Sequence, residues 1–120
     1  MTRLEIIFNY TQAMRQAQKL DEIAGQLERL AKDRYGDTIW GIRNAWNSDN
    51  SEQYLVKARK VQNDILETAK KLRRIAESIR TTAEAIKRAE LAALDIARSR
   101  VYEAVSGAAN AFGGGGGGSR

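Results

Sequence analysis

The chain has 120 residues, 20 Lys and Arg against 15 Asp and Glu, a net charge of +5, and no His, Cys or Pro. One domain is the default at this length. Without His or Cys it lacks the commonest general base, the thiol nucleophile and the usual zinc ligands, and no disulfide forms. Enzymatic chemistry is therefore not expected, and neither is a metal, a cofactor or any catalytic residue.

Residues 1–9 read as an N-terminal arm. Leu4-Glu5-Ile6-Ile7-Phe8 is β-prone but too short for a sheet without partners, so an extended lead-in is expected, with Asn9 or Thr11 capping the helix that follows. Met14, Ala17, Leu20, Ile23, Ala24, Leu27, Leu30 and Ala31 then step at three and four, which is helical spacing. Tyr35, Ile39, Ile42 and Trp46 continue the stripe past Gly36. One helix is expected here, bent near Tyr35-Gly36-Asp37, with the Gly costing about 1 kcal/mol against Ala.

Asn47-Ser48-Asp49-Asn50-Ser51 is a polar break. Asn, Ser and Asp compete with the helix by bonding their own backbone, which favours turns and caps. Asn50 or Ser51 is expected to cap the second helix. That helix carries Tyr54, Ala58, Val61, Ile65, Ala69, Leu72, Ile75, Ile79, Ala83, Ile86 and Ala93 on one face and frays near Ser106-Gly107. The run Gly113 to Gly118 with Ser119-Arg120 reads as a flexible coil.

The fold class expected is all-α: an antiparallel two-helix hairpin over residues 10–111, turning near 47–51, between the arm and a Gly-rich tail over 112–120. A hairpin has a thin core, because each helix buries one stripe. Pairing of two hairpins into a four-helix bundle is expected, with Leu20, Ile23, Leu27, Leu30, Ile39, Ile65, Leu72, Ile75 and Ile79 forming the core and dimer stripe.

Charges of both signs are interleaved, as on solvated helix faces. The densest basic run, Lys70-Lys71-Leu72-Arg73-Arg74, winds around the helix instead of lining one side, so nucleic acid is not the expected partner. No charged-then-apolar leader with a small-residue cleavage site opens the chain, and no apolar run reaches the ~20 residues of a membrane span. Neither Sec-dependent export nor stable membrane insertion is expected.

Trp46 is a large amphipathic ring at the end of the hairpin, suited to a core position or to contact with a partner. Ile86 and Glu90 lie one turn apart on the second helix. In an antiparallel dimer of hairpins, the turn of one subunit returns to this end of the other, so Trp46 of one copy and Ile86/Glu90 of its partner form a composite patch.

The hairpin length, the Trp at the turn and the hydrophobic-x-x-x-acid pair late in the second helix resemble the Trp-x-Gly (WXG, ESAT-6-like) proteins of bacterial type VII secretion, over residues 10 to 95. In that family a Trp-x-Gly turn is followed late in the second helix by Tyr-x-x-x-Asp/Glu. The two motifs form a bipartite export signal read by the secretion ATPase, and members pair as homodimers or heterodimers of hairpins. The resemblance places Trp46 at the family Trp, Asn47 at the variable position and Glu90 at the acid. Ser48 stands where Gly is usual and Ile86 where Tyr is usual, so the turn and the hydroxyl contact of the family depart here.

The resemblance implies a small secreted substrate or a targeting partner, cytoplasmic before leaderless export. Its implied partners are a related hairpin, the type VII ATPase and a larger toxin-bearing substrate. Two other readings fit the stripes: a structural or adaptor coiled coil unrelated to secretion, and a basic nucleic-acid-binding hairpin.

Overall fold

The computed structural model describes residues 1–45 and 49–109. The described residues form helix α1 (Arg3–Arg29), a π-helical turn (Leu30–Tyr35), α2 (Gly36–Ala45) and α3 (Asp49–Ala109), with no strand among them. The all-α expectation holds.

Residues 4–8 are not an extended arm, because α1 already begins at Arg3. The reason is a cap that β-propensity does not register. Thr2 Oγ1 accepts the Glu5 backbone N–H at 3.1 Å, and Ile6 N–H bonds Thr2 O at 3.0 Å. Thr-x-x-Glu is the capping-box pattern, with an acid in the first turn against the helix dipole. Ile6 is buried, so the first turn is anchored by packing as well. The N-cap is therefore Thr2, not Asn9 or Thr11.

At the second helix, Asp49 to Ser51 belong to α3 and not to the break. Ser51 is 2% exposed. The helix continues through Ser106 and Gly107 to Ala109, past the expected fray. Trp46, Asn47 and Ser48, and the Gly-rich tail, lie outside the described residues.

The chain divides into two compact units. In the unit formed by residues 12–82, α1, the π turn and α2 run antiparallel to α3. The direction is fixed by partner order along the chain: Asp21 with Arg80, Glu28 with Arg73, Ala31 with Gln62, and Ile39 with Leu55 and Ala58. In the unit formed by residues 1–11 and 83–120, the start of α1 runs against the later part of α3, with Tyr10 meeting Glu84 and Lys87.

The buried positions differ from a Leu/Ile core. Ala17, Ala24 and Ala31 are buried at heptad spacing on α1, and Ala69, Ala76 and Ala83 on α3. Of the expected stripe, Ile39 alone is buried; Leu20, Leu27, Ile65, Leu72 and Ile79 are half-buried, while Ile23, Leu30 and Ile75 are exposed. Alanine in the seam removes the side-chain bulk that keeps helix axes apart. The larger side chains, a fraction of a turn away, are then left at the seam's margin.

Nearer the turn, the packing changes. Ile39, Leu55 and Ala58 form a buried cluster, with Tyr35 and Ile42 packed against it. The step from Ala31 to Ile39 is eight residues, one more than a heptad, and the π turn takes up the surplus. The expected bend near Gly36 is thus a π turn just before it, with α2 starting at Gly36.

Candidate partner-binding surface

The helical period assigns the residues beside the alanine seam to two sides. Asp21 and Glu28 each follow a seam alanine by four residues, about 40° past a full turn; Leu20 and Leu27 follow by three, about 60° short of one. On α3, Arg73 and Arg80 follow Ala69 and Ala76 by four, while Leu72 and Ile79 follow by three. Because the helices run antiparallel, the four-residue offsets of both fall on one side of the seam and the three-residue offsets on the other. Ile23, Leu30 and Ile75 each precede a seam alanine by one residue and extend the second side.

The first side is ionic. Arg73 Nε donates to Glu28 Oε1 at 3.0 Å, and its Nη1 is 3.7 Å from Asp21 Oδ1. Arg80 pairs with Asp21 through Nη2 and with Glu77 through Nη1 at 3.5 Å. The Arg73 hydrogen bond holds the Glu28 carboxyl below its ordinary range, aided by the charges of Arg73, Lys32 and Arg29 and opposed by desolvation. Half of the Lys70–Arg74 run is thereby occupied within the chain, since Lys70 also pairs with Glu67 at 3.4 Å.

The second side is apolar. Leu20, Ile23, Leu27 and Leu30 from α1 and Ile65, Leu72, Ile75 and Ile79 from α3 line it, every one half-buried or exposed. None of these positions carries a charge, so this side is a largely aliphatic margin of two helices, interrupted by the exposed Thr68 one residue before Ala69.

In the other unit, Glu84 accepts a hydrogen bond from the Tyr10 hydroxyl. That bond lowers the Glu84 pKa and, with burial and the carboxylate's charge, raises that of Tyr10. Lys87 Nζ lies 4.0 Å from the Tyr10 ring centroid and 3.6 Å from Glu84 Oε1, a cation–π contact backed by an ion pair. Ile86 points outward, 55% exposed. Glu90 is half-buried and lies one heptad beyond the buried Ala83. The structure thus places Ile86 and Glu90 on α3 in this unit, while Trp46, Asn47 and Ser48 fall outside the described residues.

Trp40 lies outside the expected stripe. It stands 70% exposed on α2. Its signal was available: it falls one residue out of the Tyr35, Ile39, Ile42 spacing.

Among the described residues, no group of three or more His, Cys, Asp or Glu could hold a metal ion, and no helix is long and apolar enough to cross a membrane. No family model, no curated protein and no solved structure matches the chain.

Proposed function

We propose that this chain is a small helical partner or substrate of a bacterial type VII secretion system, acting by pairing with a second hairpin, its own copy or a relative, into a four-helix bundle. The observation that carries the pairing is the apolar side of the 12–82 unit, where Leu20, Ile23, Leu27, Leu30, Ile65, Leu72, Ile75 and Ile79 remain partly or largely in contact with water. Apolar area is worth about 25 cal/mol per Å² when removed from water. The alanine seam uses little of what these side chains offer. A second hairpin laid on this side recovers it, and the absence of charge from these positions leaves no buried ion to desolvate. The ionic side stays in solvent.

The secretion reading rests on Trp46-Asn47-Ser48 at the turn and Ile86 with Glu90 on α3. In the pair, the turn of one copy and the exposed Ile86 with Glu90 of the other form the surface that the secretion ATPase reads. A larger toxin-bearing substrate is the further partner this reading carries.

Export in the producing bacterium, with and without its type VII ATPase, tests it for the unmodified chain, Trp46→Ala and Glu90→Ala. Loss of extracellular protein in the ATPase deletion and in both variants, with folding and pairing intact, is the expected result. A chain that pairs but never leaves the cell in any strain is not a substrate; recovery of no secretion component on pull-down then makes it an adaptor coiled coil, and the secretion reading fails.

A further inference from the structure

If the heptads of α1 ran on unbroken, Ala17, Ala24 and Ala31 would be followed in the seam by Thr38, and Leu20 and Leu27 by Arg34 and Gly41. In the structure Arg34, Thr38 and Gly41 are exposed, and Tyr35, Ile39 and Ile42 take the inner positions. The one surplus residue absorbed by the π turn makes that exchange. Facing the turn is Gln62, which lies in the α3 heptad of Leu55, Ala69, Ala76 and Ala83 and is the polar member of that set. Its Nε2 donates to Ala31 O at 2.8 Å, in a half-buried setting.

We infer that Leu30–Tyr35 is a register device: one surplus residue, clamped by Gln62, that hands the hairpin from an alanine seam to an aliphatic and aromatic one, and so turns Trp40 from the outer face toward the ionic side. Trp40 follows the seam residue Ile39 by one position, about 100° toward the ionic side. In an unbroken helix it would follow the seam position Thr38 by two residues, about 200° round, on the face turned away from α3. The placement of Trp40 off the pairing face rests on the pairing reading; the register device does not.

Deletion of Asp33 tests the device in the full chain. It removes the surplus residue, so the turn closes to α-helix with Ile39 and Ile42 still inward, and the deletion variant keeps its helicity. Deletion of Gln18, the control, splits the alanine heptad and lowers stability sharply. In the unmodified chain Gln62→Leu lowers the folding equilibrium constant about tenfold, by losing a half-buried bond. In the Asp33 deletion the same change is neutral or stabilising, because the tightened helix no longer offers the carbonyl and Leu fits the seam. Additive effects of the two changes, or an Asp33 deletion as damaging as that of Gln18, overturn the device.

Iodide quenching in Trp46→Phe reads Trp40. Quenching that is unchanged between monomer and sedimenting dimer supports its placement, and protection on pairing overturns it. A chain that never pairs removes the pairing reading and the Trp40 placement with it, while the Gln62 cycle still decides the device.

Discussion

Arg73 Nε donates to Glu28 Oε1 at 3.0 Å across the two helices of the 12–82 unit. The pair sets the level at which α1 and α3 meet on the ionic side, and its energetics depend on pH. The Glu28 pKa is lowered in the folded chain, first by this hydrogen bond. A depressed carboxyl contributes stability above its unfolded pKa, about 4.3, and loses it as pH falls through the folded value. Thermal melts of the unmodified chain and Glu28→Gln should therefore differ at pH 6 and converge as the pH drops below 4. The gap at pH 6 is small, because exposed pairs are screened. A gap that persists at low pH would mean that the Gln change acts through packing and not charge.

The alanine seam predicts an inversion of the usual core rule. Ala24 and Ala76 have no exposed surface. Replacing either by Leu inserts bulk where two helices approach closely, and should cost about 1–3 kcal/mol. Chemical denaturation measures it. If Ala24→Leu or Ala76→Leu were as stable as the parent, the helices would not be in close approach there.

On the apolar side, Ile23→Glu and Ile75→Glu replace exposed side chains. Each should leave helicity in place and abolish pairing, since a charge in the paired interface is desolvated without a partner. Circular dichroism and sedimentation together check this. Sedimentation as a dimer by both variants would place the interface elsewhere.

Two cheap changes probe local backbone. A Cβ at Gly41 meets nothing within 4 Å, and the residue is helical, so Gly41→Ala should stabilise by about 0.5–1 kcal/mol through the unfolded chain's lost freedom. Thr2→Ala removes the cap of α1 and should cost about 1 kcal/mol. That loss appears first as faster amide exchange over the opening turns of α1. Protection unchanged at Glu5 and Ile6 would show that the Thr2 side chain does not hold the helix start.

The helices themselves were legible in the sequence. Apolar residues at three and four and no Pro are enough for two long helices, because helical period is a local property; the polar cluster at 47–51 overstates the break, since Asp49 to Ser51 are helical. The cap at Thr2 was also written there as Thr-x-x-Glu, but the β-prone Leu4–Phe8 composition obscured it. Which apolar residues face inward was not legible. The stripe contains both Ala and Leu/Ile, and hydrophobicity alone favours the larger ones; only the approach of α1 to α3 decides that Ala17, Ala24, Ala31, Ala69, Ala76 and Ala83 are buried and that Ile23, Leu30 and Ile75 are not. The division into an ionic and an apolar side likewise needs the partner helix, because a four-residue and a three-residue offset part company only once the seam is known. The π turn is the clearest case: the step from Ala31 to Ile39 is visible as eight residues, but a bend, a fray and an inserted residue all satisfy it. The carbonyl of Ala31, 31 residues before Gln62 and bonded by it, settles the choice, since that contact forms only when the chain has folded back on itself.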